Sequence, residues 1–301
     1  MKYYFALYLT LLVVFITNAQ ERKLPIIDVH LHAYDSIWGP TRECFPEPCE
    51  KIPNRVKSGD QILPETIKMM DKYNIVRALV SDVEIEDVIR WGKADPRFMI
   101  APMSIDPIPK YLNPIEDSIH LFRAIGEVSS QYKGYSPGHP DMYRTYRLAA
   151  KYDLPIFIHI AGLGGGPNFP ILKGNPMEMS EVLKEIPELR VCIVHGGFPF
   201  GDETIALMYN YPTVYLDLSV INWIIPREIF HRYLKKLIDA GLAKRLMFGS
   251  DQMIWPEAIE IAIEAIDTAE FLTEDQKRDI FYNNAARFLR LTDDQIKKDH
   301  E

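Results

Sequence analysis

His30 and His32 stand two residues apart in Ile26-Ile27-Asp28-Val29-His30-Leu31-His32. The run is apolar and reads as a β-strand, in which residues i and i+2 share a face. Two imidazoles therefore project together from the strand's end, and neutral histidine nitrogen is a common ligand of zinc and its neighbours. Three more strand-like runs end in a residue of ligand type. These are His159 after Pro155-Ile156-Phe157-Ile158, His195 after Val191-Cys192-Ile193-Val194, and Asp251 after Leu246-Met247-Phe248-Gly249-Ser250. Taken singly, each reads as well as a satisfied core histidine or a hydrogen-bonded buried aspartate. The same polar types capping one apolar run after another are a strong signal of a shared site.

The elements that must position these residues follow one rhythm. Strands are expected at Ile26–His32, Val76–Val83, Phe98–Ser104, Ala124–Ser129, Pro155–Ile160, Arg190–His195, Thr213–Leu218 and Arg245–Ser250. Most are continuous apolar runs, as parallel strands covered on both faces require. Helical patterns lie between them, for example over 64–73 and 180–186. Eight βα steps predict an α/β fold, a single-domain (β/α)8 TIM barrel. A doubly wound open sheet is the rival, but it would gather ligands at one switch point. The candidates here come from strands one, four, five, six and eight, which only a closed ring brings together. The charged tail after Leu291 is expected to fray.

The 301 residues suffice for one large domain with a substantial core, and 47% are hydrophobic. The formal net charge is -8 with no Lys/Arg-rich run, which argues against nucleic-acid binding. Residues 1–19 read as a secretory signal peptide: a short positive start, an apolar stretch from Tyr3 to Ile16, and Thr17-Asn18-Ala19 before the cut. The alternative is an uncleaved anchor, for which the stretch is short. The mature domain is expected at 20–301, periplasmic or secreted, off the membrane once the signal is cut. Assembly into a homo-oligomer stays open. Cys44 and Cys49 bracket a two-proline segment and could pair after export; two free thiols are the alternative. Cys192 reads as a buried apolar residue.

The loops after the strands carry unusual composition. Ala161-Gly162-Leu163-Gly164-Gly165-Gly166-Pro167 follows His159 but leads to no Lys-Ser/Thr and no helix, so it is not a phosphate loop. Trp38, Trp223 and Trp255 follow strand ends, where a barrel's pocket rim lies; each could equally cover the core edge. The connection from Ala33 to Ser58 is long enough to be functional. It leaves directly after His32 and holds Trp38, Arg42 and the cysteine pair. It is expected to fold over the pocket as a lid and to lend Trp38 or Arg42 to a substrate, a surface excursion being the alternative.

These residues resemble the amidohydrolase superfamily, in particular the amidohydrolase-related branch of TIM-barrel metal-dependent hydrolases that also contains aminocarboxymuconate-semialdehyde decarboxylase. The matching pieces are His30-x-His32, His159, His195 with Gly196-Gly197, Gly249-Ser250-Asp251 and the closing Asn283-Asn284-Ala285-Ala286-Arg287-Phe288-Leu289. The resemblance spans essentially the whole mature chain and is specific for fold and metal dependence, not for substrate. It implies a divalent metal, zinc first, with manganese, iron or nickel as alternatives, held by His30, His32, His159 and Asp251. Glu127, after Gly126 at the end of strand four, is either a further ligand bridging a second ion or an outer acceptor orienting a histidine. The number of ions, one or two, stays open with it.

The implied chemistry is attack of metal-activated water on an amide, lactone or ester-type bond of a small molecule. Asp251 would move the proton and His195 would stabilise the developing oxyanion. The same site could instead decarboxylate a β-keto or aromatic acid, with Arg42 as a candidate grip on the carboxylate. A non-catalytic exported binding protein is a third reading, against which the intact ligand set argues.

Overall fold

Eight apolar runs become parallel strands in chain order: β1 (Ile26–His32), β2 (Ile75–Asp82), β3 (Phe98–Pro102), β4 (Ile125–Val128), β5 (Ile156–Ile158), β6 (Val191–Ile193), β7 (Val214–Asp217) and β8 (Leu246–Met247). The computed structural model describes residues 23–34, 56, 58–106, 112–164 and 168–301. Parallel neighbours need crossovers. Here these are α1 (Ile62–Tyr73), α2 (Ile85–Ala94), α3 (Leu112–Asp117), α4 (Tyr143–Lys151), α5 (Met179–Glu185), α6 (Gly201–Asn210), and the pair α7 (Ile221–Ile224) and α8 (Arg227–Asp239). After β8 come α9 (Ala258–Asp267), α10 (Glu274–Arg278), a π-helical turn at Asp279–Asn283, α11 (Asn284–Phe288) and α12 (Asp293–Asp299). The fold is the (β/α)8 barrel rather than an open sheet.

Continuous ladders join β1-β2-β3 and β4-β5-β6-β7-β8, and two looser seams close the ring. At one, Ser104 bridges Val128, Ser104 N–H donates to Glu127 O (3.1 Å) and Ser129 N–H to Ser104 O (2.7 Å). At the other, Val29 N–H donates to Phe248 O (3.0 Å) and Asp251 N–H to His30 O (2.7 Å). The last strand is shorter than the expected Arg245–Ser250. Phe248 N–H turns to Ile280 O (2.8 Å) in the π-helical turn, so the chain leaves the β7 ladder after Met247. Asn284 Nδ2 pins the closing helix to Leu246 O at 2.7 Å.

The register slips by one residue at two places that matter. On β1, Asp28 pairs with Ala78 and Leu31 with Val80, so three steps on β1 face two on β2. On β4, Ile125 pairs with Ile156 and Val128 with Ile158. An extra residue of this kind re-aims side chains, as a β-bulge does. Val29 and His30, though adjacent, both border a cavity of about 10 Å³ inside the ring, which Glu127 also lines. The slip lets β1 fill the interior with Ile27 and Val29 and still turn both histidines to the centre.

Outside the ring, strands and helices share the larger apolar cluster. Trp91 on α2 is fully buried there, its ring 5.1 Å from that of Phe98. Trp91→Ala is expected to cost about 3–5 kcal/mol of stability, read by denaturant unfolding. The tail after Leu291 does not fray as expected. Thr292 and Gln295 form a capping box at α12. Asp299 then accepts from Arg77 Nε (2.7 Å) and Tyr282 Oη (2.8 Å), docking the helix.

Candidate metal centre

His30, His32, Glu127, His159, His195 and Asp251 meet at the strands' C-terminal ends, each 6% exposed or less. His30 Nε2 and His32 Nε2 are 3.2 Å apart. Asp251 Oδ1 lies 3.1 Å from His32 Nε2 and 4.0 Å from His30 Nε2. Glu127 sits between two imidazole pairs. Its Oε2 is 3.7 and 3.5 Å from His30 and His32, and its Oε1 is 4.0 and 3.7 Å from His159 and His195. His195 Nε2 is 3.9 Å from Asp251 Oδ2.

The outer nitrogen of every ring is already bonded. His30 Nδ1 donates to Asp217 Oδ2 (2.9 Å) and His32 Nδ1 faces Ser81 O (3.4 Å) and Oγ (3.3 Å). His159 Nδ1 faces Gln131 Oε1 (3.2 Å), an orientation fixed because Gln131 Nε2 donates to Ala161 O (2.8 Å). His195 Nδ1 faces Ser219 Oγ (3.0 Å). A neutral imidazole that donates at Nδ1 presents a lone pair at Nε2. Four lone pairs and two carboxylates therefore face one another in a single buried cluster.

That arrangement fits a cation. Two nitrogens ~2.05 Å from one ion stand about 2.9–3.4 Å apart in octahedral or tetrahedral geometry, which brackets the His30–His32 spacing. Glu127 Oε1 and Asp251 Oδ1 are buried without a hydrogen-bond partner, a costly state that an ion relieves. His30, His32 and Glu127 form one group with metal-holding spacing, and Glu127, His159 and His195 another. The electrostatics point the same way. Burial opposes a charged His32, yet Asp251 and Glu127 outweigh it and push the ring up to about 9. His30 is raised well above its ordinary value against burial, by Asp251, Asp217 and Glu127. The carboxylates thus demand positive charge at this point. Burial drives His159 down to about 4, which keeps it neutral, the form that binds metal.

Local backbone places these groups. Gly126 has φ 133°, and a Cβ there would stand 2.4 Å from Phe157 O, so only glycine lets Glu127 take its position. His195 (φ 56°) and Asp251 (φ 50°) are left-handed, which costs about 1–3 kcal/mol each. Gly197 continues the His195 turn at φ 67°, with Thr204 Oγ1 2.4 Å from any Cβ. Beneath the site, Asp28 Oδ1 accepts from His30 N–H and Ser250 N–H, both at 3.0 Å, tying β1 to the Asp251 turn.

Trp223 and Trp255 are 7% exposed, their rings 6.3 Å apart. Trp223 Nε1 donates to Ser250 O (2.6 Å), so its N–H braces the Asp251 turn instead of standing free for a ligand. Trp38, Arg42, Cys44 and Cys49 lie outside the described residues, as does the 1–19 segment. Sequence reasoning missed Ser81, Gln131, Asp217 and Ser219. Asp217 ends an apolar strand as the other site residues do, and that position was its available signal. Tyr34, stacked on His32 at 4.3 Å and 9°, was missed as well.

Comparison with known proteins agrees with this architecture. The chain is 26% identical over 193 residues to 2-amino-3-carboxymuconate-6-semialdehyde decarboxylase of Dictyostelium discoideum, covering 55% of this chain and 53% of that one. It spans about half or less of the curated relatives it matches, 18% and 53% of their lengths. An uncharacterised TIM-barrel protein from Bordetella bronchiseptica superposes with TM-score 0.64 at 19% identity, over 89% of this chain and 99% of that one. A dihydroxybenzoic acid decarboxylase from Polaromonas sp. JS666, with bound manganese and the inhibitor 2-nitroresorcinol, gives TM-score 0.61 at 13% identity, over 89% and 97%. The family model described as Amidohydrolase matches residues 27–291, from the strand bearing His30 and His32 to the end of the closing helix. The chain belongs to the amidohydrolase family.

Proposed function

We propose that this chain is a metal-dependent decarboxylase of a small unsaturated or aromatic carboxylic acid. The observation that carries metal dependence is the convergence of four Nε2 lone pairs and two carboxylates, each ring's Nδ1 being already bonded. The 26%-identical relative, named a decarboxylase, supports the choice of reaction. His30, His32, His159 and Asp251 would hold the cation, zinc or manganese by donor type, with Glu127 as a further ligand. Bound there, a divalent cation supplies a Lewis acid that draws electron density from the substrate.

The chain's own residues do the rest. Glu127 and Asp251 both face His195, the one ring outside the expected ligand set. Protonated at Nε2, His195 gives a proton to the carbon that carries the carboxylate. The C–C bond then breaks, its electron pair refills the conjugated system that took up the proton, and carbon dioxide leaves. Asp251 Oδ2, 3.9 Å from His195 Nε2, faces the nitrogen that gives up the proton.

Hydrolysis is the second reading, favoured by Glu127 Oε1, a buried proton acceptor without a partner. There Asp251 or Glu127 takes a proton from water, the oxygen adds to an acyl carbon, and the proton passes to the leaving group. His195 steadies the oxyanion. Metal-loaded protein should be offered conjugated and aromatic acids, then lactones, esters and amides, with carbon dioxide trapped. Gas release matched by loss of the acid supports decarboxylation. Acid release without gas overturns it in favour of hydrolysis. We also propose export through residues 1–19, which N-terminal sequencing from Gln20 would support.

A further inference from the structure

Ser219 Oγ lies 3.0 Å from Nδ1 of His30 and 3.0 Å from Nδ1 of His195. A serine hydroxyl has one proton and two lone pairs. Its proton goes to Asp217 Oδ1, since a carboxylate oxygen can only accept. Both lone pairs are then left facing two ring nitrogens, which must both be donors. His30 shares its Nδ1 proton with Asp217 Oδ2 at 2.9 Å. Asp217 Oδ1 also accepts the backbone N–H of His195 (3.1 Å) and of Ser219 (3.0 Å). Asp217 and Ser219 are both fully buried. His30, His195 and Asp217 also lie close enough together to hold an ion, and Ser219 Oγ is hydrogen-bonded to all three.

We propose that Asp217 and Ser219 are positioning residues that lock His30 and His195 into one hydrogen-bonded unit, both rings protonated at Nδ1. One carboxylate on β7 thus aims a metal ligand from β1 and the acid–base ring from β6. The backbone supports a dedicated role. Val220, directly after Ser219, has φ 55° and ψ -48°, which a β-branched residue adopts only when its surroundings force it. Ile221 N–H donates to Ser219 O (2.6 Å), and Asn222 Nδ2 to Gly249 O (2.9 Å), holding that turn against the Asp251 segment.

The two side chains have separable effects. Ser219→Ala removes the acceptor of His195 but leaves His30 its carboxylate. Asp217→Asn must either lose the acceptor of His30 or set an amide NH2 against two backbone N–H donors. The inference rests on His30 being a ligand and His195 an acid–base group, so the test reads ring protonation and metal binding separately. Long-range 1H–15N imidazole spectra of histidine-labelled protein, zinc-loaded and zinc-free, report the tautomers. Competition with a chelator reports zinc affinity.

The parent is expected to show both rings as Nδ1–H. Ser219→Ala should move His195 toward Nε2–H while zinc affinity stays within about threefold, and Asp217→Asn should weaken zinc binding about 10–100-fold. An unchanged His195 tautomer in Ser219→Ala overturns the proposal, as does unchanged zinc affinity in Asp217→Asn. So does a fall in melting temperature with neither readout moved, the mark of a merely structural pair. A parent that binds no zinc defeats the metal reading alone, and the zinc-free spectra still decide whether the bridge sets the rings.

Discussion

Replacing His30 and His32 together by alanine is expected to give a folded barrel that binds no divalent cation and has no turnover. The two rings supply the closest pair of inward nitrogens, 3.2 Å apart, and Asp251 reaches the cluster through His32 at 3.1 Å. Without them, Glu127 and Asp251 face each other's charge with less compensation, and single-partner removal at a buried pair costs about 3–5 kcal/mol. The variant should therefore also melt earlier, while circular dichroism keeps the parent's helical signal. Elemental analysis should fall from about one to two equivalents to none. A retained equivalent would assign an independent second ion to Glu127, His159 and His195, the other group with ligand spacing.

Asp251→Asn is expected to keep most of the metal and lose turnover by about 10²–10⁴, the range of a removed acid–base group. Asparagine still offers one oxygen to a cation but can neither take a proton nor carry the negative charge that faces His195 Nε2. The variant tests chemistry cleanly because of its backbone. Asp251 sits at φ 50°, and asparagine is among the few residues that tolerate left-handed φ, so the turn held by Asp251 N–H to His30 O survives. Kinetics with any accepted substrate, alongside metal analysis, checks the result. Loss of turnover in step with loss of metal would instead make Asp251 a ligand only.

Much of the site was legible because buried parallel strands are apolar throughout and change character only at their ends. The expected β1 matches residue for residue, whereas β5, β6 and β8 end earlier than expected, so His159, His195 and Asp251 stand one, two and four residues beyond them. The register slips on β1 and β4 were not legible, since a run buried on both faces shows no alternation to slip. Nor were the partners of the rings. Asp217 lies 187 positions from the histidine it holds, and Gln131 sits in a short 3-10 turn with no periodic signal. The tail was misjudged for another reason: its charges look solvated until Asp299 meets Arg77 and Tyr282 across the barrel floor. Most of the first loop, including Trp38 and Arg42, lies outside the described residues.

The two seams give the cation a second consequence. His30 and His32 ride on the three-stranded arc, whereas Glu127, His159, His195 and Asp251 belong to the five-stranded one. Each seam is held by a handful of bonds, at Ser104 and Val128 on one side and at Val29 and His30 on the other. An ion gripped from both arcs would tie them together across the two seams. Loading and ring closure would become one equilibrium, in which a thousandfold excess of ion over its dissociation constant would lend the closed ring about 4 kcal/mol. The tightness of the wall would then follow the metal supply around the protein, and scarcity would loosen the architecture along with the chemistry.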